Sequence, residues 1–264
     1  MKRMIQSILA RSKRTPAEND ESPRELLPPR RLQEYVGGAY KEVGAAFFGY
    51  LVELCGLQRG DAVLDVGCGS GRRAVPLTGY LNREGRYAGF DISKDAIAWC
   101  KANISPTHRN FDFEVADIEN KYYNPKGIQV VGFPLSVSGC VVRCRISYLS
   151  VHAHVANYIH EIVRVLKPGG RCLSTFFLLN EESLCLIEAE ERNPNFEHKS
   201  QSYRTIDAKR PEAAIAYREV FVRDLQKKLP EPLHYGSWCG RTDYLSFQDV
   251  VIAVKPARLA SEVG

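Results

Sequence analysis

Val63-Leu64-Asp65-Val66-Gly67-Cys68-Gly69-Ser70-Gly71-Arg72 is an apolar run that closes on an acid and then on a turn with glycine at every second position. It predicts a buried strand and, after it, a turn tight enough to bring backbone amides against a nucleoside ligand. Glycine permits the left-handed backbone of such a turn and lets a ligand lie against the main chain, and the amides opening the next helix face the same place. Asp65 stands at the carboxyl end of its strand, where open α/β sheets bind ligands. A three-glycine turn alone also fits dinucleotide-binding folds, whose spacing is Gly-x-Gly-x-x-Gly. Here the position of that last glycine is Arg72.

The following units sharpen the reading. Arg86-Tyr87-Ala88-Gly89-Phe90-Asp91 and Phe111-Asp112-Phe113-Glu114-Val115-Ala116-Asp117 are two more strands ending in acids, so that strand-terminal carboxylates recur at Asp65, Asp91 and Asp117. Their common spacing is that of one βα unit. A carboxylate ending the second strand can accept both hydroxyls of a ribose, and one ending the third lies where an adenine amino group needs an acceptor. With these residues the chain resembles the class I S-adenosylmethionine-dependent methyltransferases, from about Gly37 to Pro256. Val165-Leu166-Lys167-Pro168-Gly169-Gly170, ahead of an apolar strand from Cys172 to Leu179, resembles that family's turn between its fourth helix and fifth strand.

The resemblance implies a doubly wound, Rossmann-like α/β domain with a seven-stranded, mostly parallel sheet and an antiparallel last hairpin. It implies S-adenosyl-L-methionine as cofactor, held by residues matching Gly67, Gly69, Asp91 and Asp117. With their neighbours, the candidate cofactor residues are Asp65, Gly67, Cys68, Gly69, Gly71, Asp91, Ile92, Asp117 and Ile118. Helical spacing is expected in Tyr35–Gly56, Arg73–Leu81, from Ser93 through Ala102, and in Val155–Leu166. Residues 180–232 are charged and too long for a connection; the family commonly places a cap over the acceptor pocket here. A helix is expected in it from about Glu212 to Leu229, and His198, Tyr203 and Arg204 are weak substrate-contact candidates. Tyr235 and Trp238 fit either a pocket wall or core packing.

Domain organisation follows from charge and proline. Residues 1–31 carry eight Lys or Arg against four acids, +4 of the chain's formal +5. Residues 1–31 therefore read as a basic tail and linker, 32–257 as the methyltransferase-like domain and 258–264 as a second tail. Residues 1–11 suit a frayed terminus or a short basic amphipathic helix touching an anionic membrane surface. The body is near neutral, so a basic face for nucleic acid is not expected. No apolar run is long enough to span a bilayer. Eight cysteines without a Cys-x-x-Cys pair give no zinc framework, and no metal is expected; they fit a reduced, cytoplasmic protein.

One segment conflicts with this scheme. Between Glu119 and Glu161 there is no Asp or Glu, and the region that should form the buried fourth strand contains Arg143 and Arg145. Two unpaired guanidinium groups in a parallel sheet covered on both faces would cost several kcal/mol. Residues 130–154 therefore derive either from a shifted reading frame or from divergence, with the strand lost or displaced to an edge. The loop expected after this strand contains His152 and His154, candidates for the general base that an alcohol acceptor requires. The function expected is methyl transfer to a nucleophilic atom, oxygen first, of a small molecule. The alternatives are an NAD(P)-dependent oxidoreductase, disfavoured by Arg72 and Asp117, and a degenerate cofactor-binding protein with little turnover. Translating the coding DNA in its other two frames separates the origins of the segment. A shifted frame is expected to restore an acidic turn and an apolar strand in one of them, and restoration in neither would eliminate it.

Overall fold

Helix α1 (Arg30–Tyr35) and helix α2 (Tyr40–Glu53) open the fold in a computed structural model that describes residues 26–37, 39–116, 139–145, 152–189, 191, 193–225 and 233–256. The expected helical stretch from Tyr35 is thus broken at its start. Gly37 at φ +87° and Ala39 at φ +53° are left-handed, which a helix cannot continue through. Strand β1 (Ala62–Val66) leads into the glycine turn and a five-residue helix α3 (Ala74–Thr78). Strand β2 (Arg86–Asp91), helix α4 (Lys94–Asn103) and strand β3 (Phe111–Val115) follow. Ser93 caps α4 as its sequence predicts, its hydroxyl accepting the Ala96 amide at 3.3 Å. Strand β4 (Gly139–Arg145), helix α5 (His152–Val165) and strand β5 (Leu166–Leu179) complete the parallel part.

The parallel strands lie in the order β3-β2-β1-β4-β5. Strand β10 (Asp249–Val254) runs antiparallel along residues 171–176 of β5 and is itself paired by the two-residue strand β9 (Leu233–His234). The apolar residues divide between two faces, as the alternation of strand side chains requires. Leu64, Val66 and Phe90 pack with Ile159 and Ile162 of α5 on one face. Val63, Tyr87 and Phe111 pack with Phe47 of α2 and Ile97 of α4 on the other. Among the described residues no helix is long and apolar enough to cross a membrane.

The inserted segment differs from a helical cap. After helix α6 (Glu181–Glu188) it forms strands β6 (His198–Lys199), β7 (Tyr203–Thr205) and β8 (Ile215–Arg218), and its helix α7 (Glu219–Leu225) starts later than expected. Residues 177–179 of β5 run past the ends of both β4 and β10, and β8 pairs with them in parallel register. The sheet therefore counts ten strands among the described residues, three of them supplied by the insertion, where the sequence implies seven. A small core of its own, with Phe177, Phe196 and Trp238 rings 5.1–5.5 Å apart, anchors it.

Strand β4 is neither lost nor at an edge. It lies between β1 and β5, with Arg143 level with Asp65 on one side and Leu173 on the other. If both guanidinium groups lie unpaired in the sheet, replacing Arg143 and Arg145 by Val is expected to raise Tm, by roughly 2–4 °C for each kcal/mol gained in a chain of this size. Scanning fluorimetry of the double variant checks it; a lower Tm would mean that the native sheet compensates both charges.

Candidate functional site

The glycine turn is built by hydrogen bonds from the end of β2. The Gly67 and Cys68 amides donate to the Phe90 carbonyl at 2.9 and 3.1 Å, and the Gly69 amide donates to Asp91 Oδ2 at 2.8 Å. Gly67, Gly69 and Gly71 have φ of +76°, +57° and +77°, so all three positions require the conformational freedom of glycine. The absence of side chains has a second cause that the sequence alone does not display. A Cβ on Gly69 would stand 2.4 Å from Cγ1 of Val36, and one on Gly71 would meet Ile104 and Cys100 of the α4 region at 3.0 and 3.1 Å. At position 69 packing of the protein against itself already opposes a side chain, and at position 71 it leaves only a tight fit, before any ligand is considered.

Asp91 is the focus of the site. Its side chain is almost buried, with Oδ2 on the Gly69 amide and Oδ1 accepting the Ser93 amide at 2.9 Å and the Tyr35 hydroxyl at 3.3 Å. Burial pushes the carboxyl upward from its ordinary range, opposed by these three donors. A carboxylate offers about four acceptor positions. Two of the three donors are main-chain groups fixed in place, whereas Tyr35 contributes the longest bond from a residue that is 40% exposed. A ribose hydroxyl can replace it, so the residues present fit a nucleoside cofactor.

The other candidates separate. Asp65 is 1% exposed and its Oδ2 accepts the Tyr87 hydroxyl at 2.8 Å, so at least one oxygen serves the sheet core; burial pushes the Tyr87 hydroxyl well above its usual range. Cys68 is buried and its thiol is likewise held protonated by burial, leaving its backbone as the part that can face a ligand. Ile92 is half-buried against the core under α5. Asp117 and Ile118 lie outside the described residues. The backbone places His152 and His154 in the first turn of α5, not in a loop.

Within the insertion, His198 is exposed, Tyr203 packs on the sheet, and Arg204 stands 3.7 Å from Glu188. Trp238 is core, and the Tyr235 hydroxyl donates to Glu219 at 2.8 Å. None of these five adjoins the glycine turn. Tyr35 and Val36, which do, were legible only as helix residues.

A model described as "Methyltransferase domain" matches residues 57–236. The chain belongs to this family of S-adenosylmethionine-dependent methyltransferases. Arsenite methyltransferase of Aquipseudomonas alcaligenes is 27% identical over 145 residues, 54% of this chain and 40% of that protein. A phthiotriol/phenolphthiotriol dimycocerosates methyltransferase of Mycobacterium tuberculosis is 33% identical over 113 residues, 42% and 36% of the two chains. A tRNA methyltransferase of Macaca fascicularis is 28% identical over 180 residues, 64% and 24%. The match thus spans less than half the length of each of these relatives. Among solved structures, a Haloferax volcanii methyltransferase in complex with the Trm112 activator aligns with TM-score 0.54 at 16% identity, covering 87% of this chain and 98% of that one. The N-methyltransferase NodS of Bradyrhizobium japonicum aligns at 0.50 and 12%, covering 83% and 98%. These likenesses establish the α/β methyltransferase fold, and family membership makes S-adenosylmethionine the cofactor.

Gly69→Val combines a left-handed backbone with a collision at Val36, so it is expected to abolish S-adenosylhomocysteine binding and to lower Tm by several degrees. Calorimetry and a melt of the same preparation check the two effects. Normal binding by this variant would remove the turn from the site.

Proposed function

We propose that this methyltransferase transfers the methyl group of S-adenosylmethionine to an oxygen of a small-molecule acceptor. The observation that carries the proposal is Asp91, a nearly buried carboxylate ending β2 that orders the Gly69 amide and has one displaceable partner, Tyr35. In this reading Asp91 receives the ribose hydroxyls, the backbone of Gly67 and Gly69 lies along the cofactor, and Asp117 with Ile118 receives the adenine. When bound, the sulfonium supplies a methyl group that is already strongly electrophilic. The protein's share is to align the acceptor and exclude water.

An alcohol must lose its proton as the new bond forms, and His152 or His154, opening α5 after the central strand β4, is the proposed base. The preference for a small molecule rests on the near-neutral body of the chain and on relatives named for arsenite and for phthiotriol/phenolphthiotriol dimycocerosates. The tRNA activity named for another relative is the less favoured reading, since +4 of the formal +5 charge lies in residues 1–31.

Calorimetric titration with S-adenosylhomocysteine and with NADH tests the proposal. Binding of the first and not the second is expected. Asp91→Ala should weaken it by at least about tenfold, since each charge-assisted hydrogen bond contributes about 1.5–3 kcal/mol. The same substitution leaves the Gly69 amide without its acceptor, so Tm should fall as well. Undiminished binding by Asp91→Ala, or tighter binding of NADH, would overturn the assignment. Binding without methyl transfer to any of a panel of hydroxylated acceptors would leave a cofactor-binding protein without turnover.

A further inference from the structure

Among the described residues, helix α2 faces the segment 244–248 across a cavity of about 440 Å³, within the range of small-molecule sites. The Tyr50 hydroxyl donates to the Leu245 carbonyl and ties the two walls together. The cavity adjoins the cofactor turn, because Val36, whose Cγ1 would collide with any Cβ on Gly69, lines it as well.

Rings come from both walls, Phe47 and Tyr50 from α2 and Tyr244 and Phe247 from the facing segment. The first two are buried, whereas Tyr244 and Phe247 are each 49% exposed. Exposed aromatic side chains gathered at a cavity are surface that a ligand removes from water. A second, independent sign is Gln248. It lines the same cavity, is 8% exposed, and its Nε2 has no hydrogen-bond partner in the structure. Buried donors are ordinarily satisfied, and an acceptor oxygen of a ligand would satisfy this one.

We infer that this cavity receives the methyl acceptor and that the acceptor is an aromatic carbonyl compound. Its ring packs among the aromatic residues of the two walls, and its carbonyl oxygen accepts a hydrogen bond from Gln248 Nε2. A ring offers these walls the edge and face contacts that aromatic pairs favour, which an aliphatic chain of equal area does not. A carbonyl oxygen accepts and brings no donor of its own, so it meets the amide without adding a polar hydrogen that would need a partner in turn; a hydroxyl in the same place would add one. The inference rests on the methyl-transfer reading for the word acceptor, but the rings and the amide of the cavity stand without it.

The test is calorimetry of the full chain, saturated with S-adenosylhomocysteine, against para-hydroxyacetophenone and para-ethylphenol, which share a ring and a hydroxyl and differ in the carbonyl oxygen. The ketone is expected to bind about tenfold more tightly, because its analogue leaves the amide donor unmet. Gln248→Leu should bring the ketone down to the level of its analogue and leave the analogue unchanged. The Tm of the unliganded variant should not fall, since no hydrogen bond of that nitrogen is lost. Ala46→Phe, which fills the cavity from α2, should weaken both compounds while S-adenosylhomocysteine still binds. Equal affinity of the wild-type protein for the two compounds, or binding of neither, would overturn the inference. So would a preference for the ketone that survives Gln248→Leu, or binding of both compounds that Ala46→Phe leaves intact. Failure of S-adenosylhomocysteine to bind would instead sink the methyl-transfer reading, and the same pair, titrated without it, would still judge the cavity.

Discussion

A carboxylate buried at the end of a strand must be surrounded by donors, and the way Asp91 meets this requirement shapes the carboxyl edge of the sheet. Leaving such a charge unsatisfied would cost several kcal/mol, a large part of the stability of a domain. Its three donors come from three separate elements: the glycine turn after β1, the start of α4, and the end of α1. One side chain therefore holds the turn in its left-handed conformation, sets where α4 begins and draws α1 over the turn. Asp249 repeats the device elsewhere in the sheet. Fully buried, it accepts the Leu178 amide at 2.8 Å and the Gly236 amide at 2.7 Å, joining β5 to the loop before β10.

Residues whose roles are local were legible in the sequence. Strands β1 to β3 appear as apolar runs closed by acids, Ser93 marks its helix by a capping hydroxyl, and Gly67-Cys68-Gly69-Ser70-Gly71 announces positive φ. Roles that depend on distant chain were not. Nothing near Asp65 in sequence reveals that the Tyr87 hydroxyl will occupy it, and the glycine of position 69 is required by Val36, more than thirty positions earlier. The inserted segment misled for a related reason. Its strands are two to four residues long, too short to display alternation, and build on the end of β5 that outruns β4 and β10. Strand β4 shows the opposite failure. Its backbone takes the central position despite a composition that argues against it, because β1 and β5 both offer unsatisfied edges that only another strand can complete.

Arg72 stands where the dinucleotide-binding spacing places a glycine. In dinucleotide-binding turns the corresponding glycine lets helix and strand approach closely. Here an arginine occupies the place, turns into the protein and closes on the Gly37 carbonyl, fastening the segment that carries Val36 over the turn. Gly44 of α2 faces it at close range, since a Cβ there would stand 2.5 Å from the Arg72 carbonyl oxygen. The helix that walls the cavity is thus packed directly on the strand-following turn, with no layer between them.

This arrangement ties the glycine turn to the cavity beside it. Val36 is at once the cover of Gly69 and part of the cavity wall, and Arg72 is at once the residue after the turn and the latch of that cover. Residues sharing partners in this way do not contribute independently, so substitutions at positions 36, 69 and 72 should show interaction energies and not simple sums. Any occupant that shifts Val36 must act on both sides of it. A ligand in either site that favours one position of α1 then alters the affinity of the other site by the same factor in both directions, because linkage of binding free energies is reciprocal.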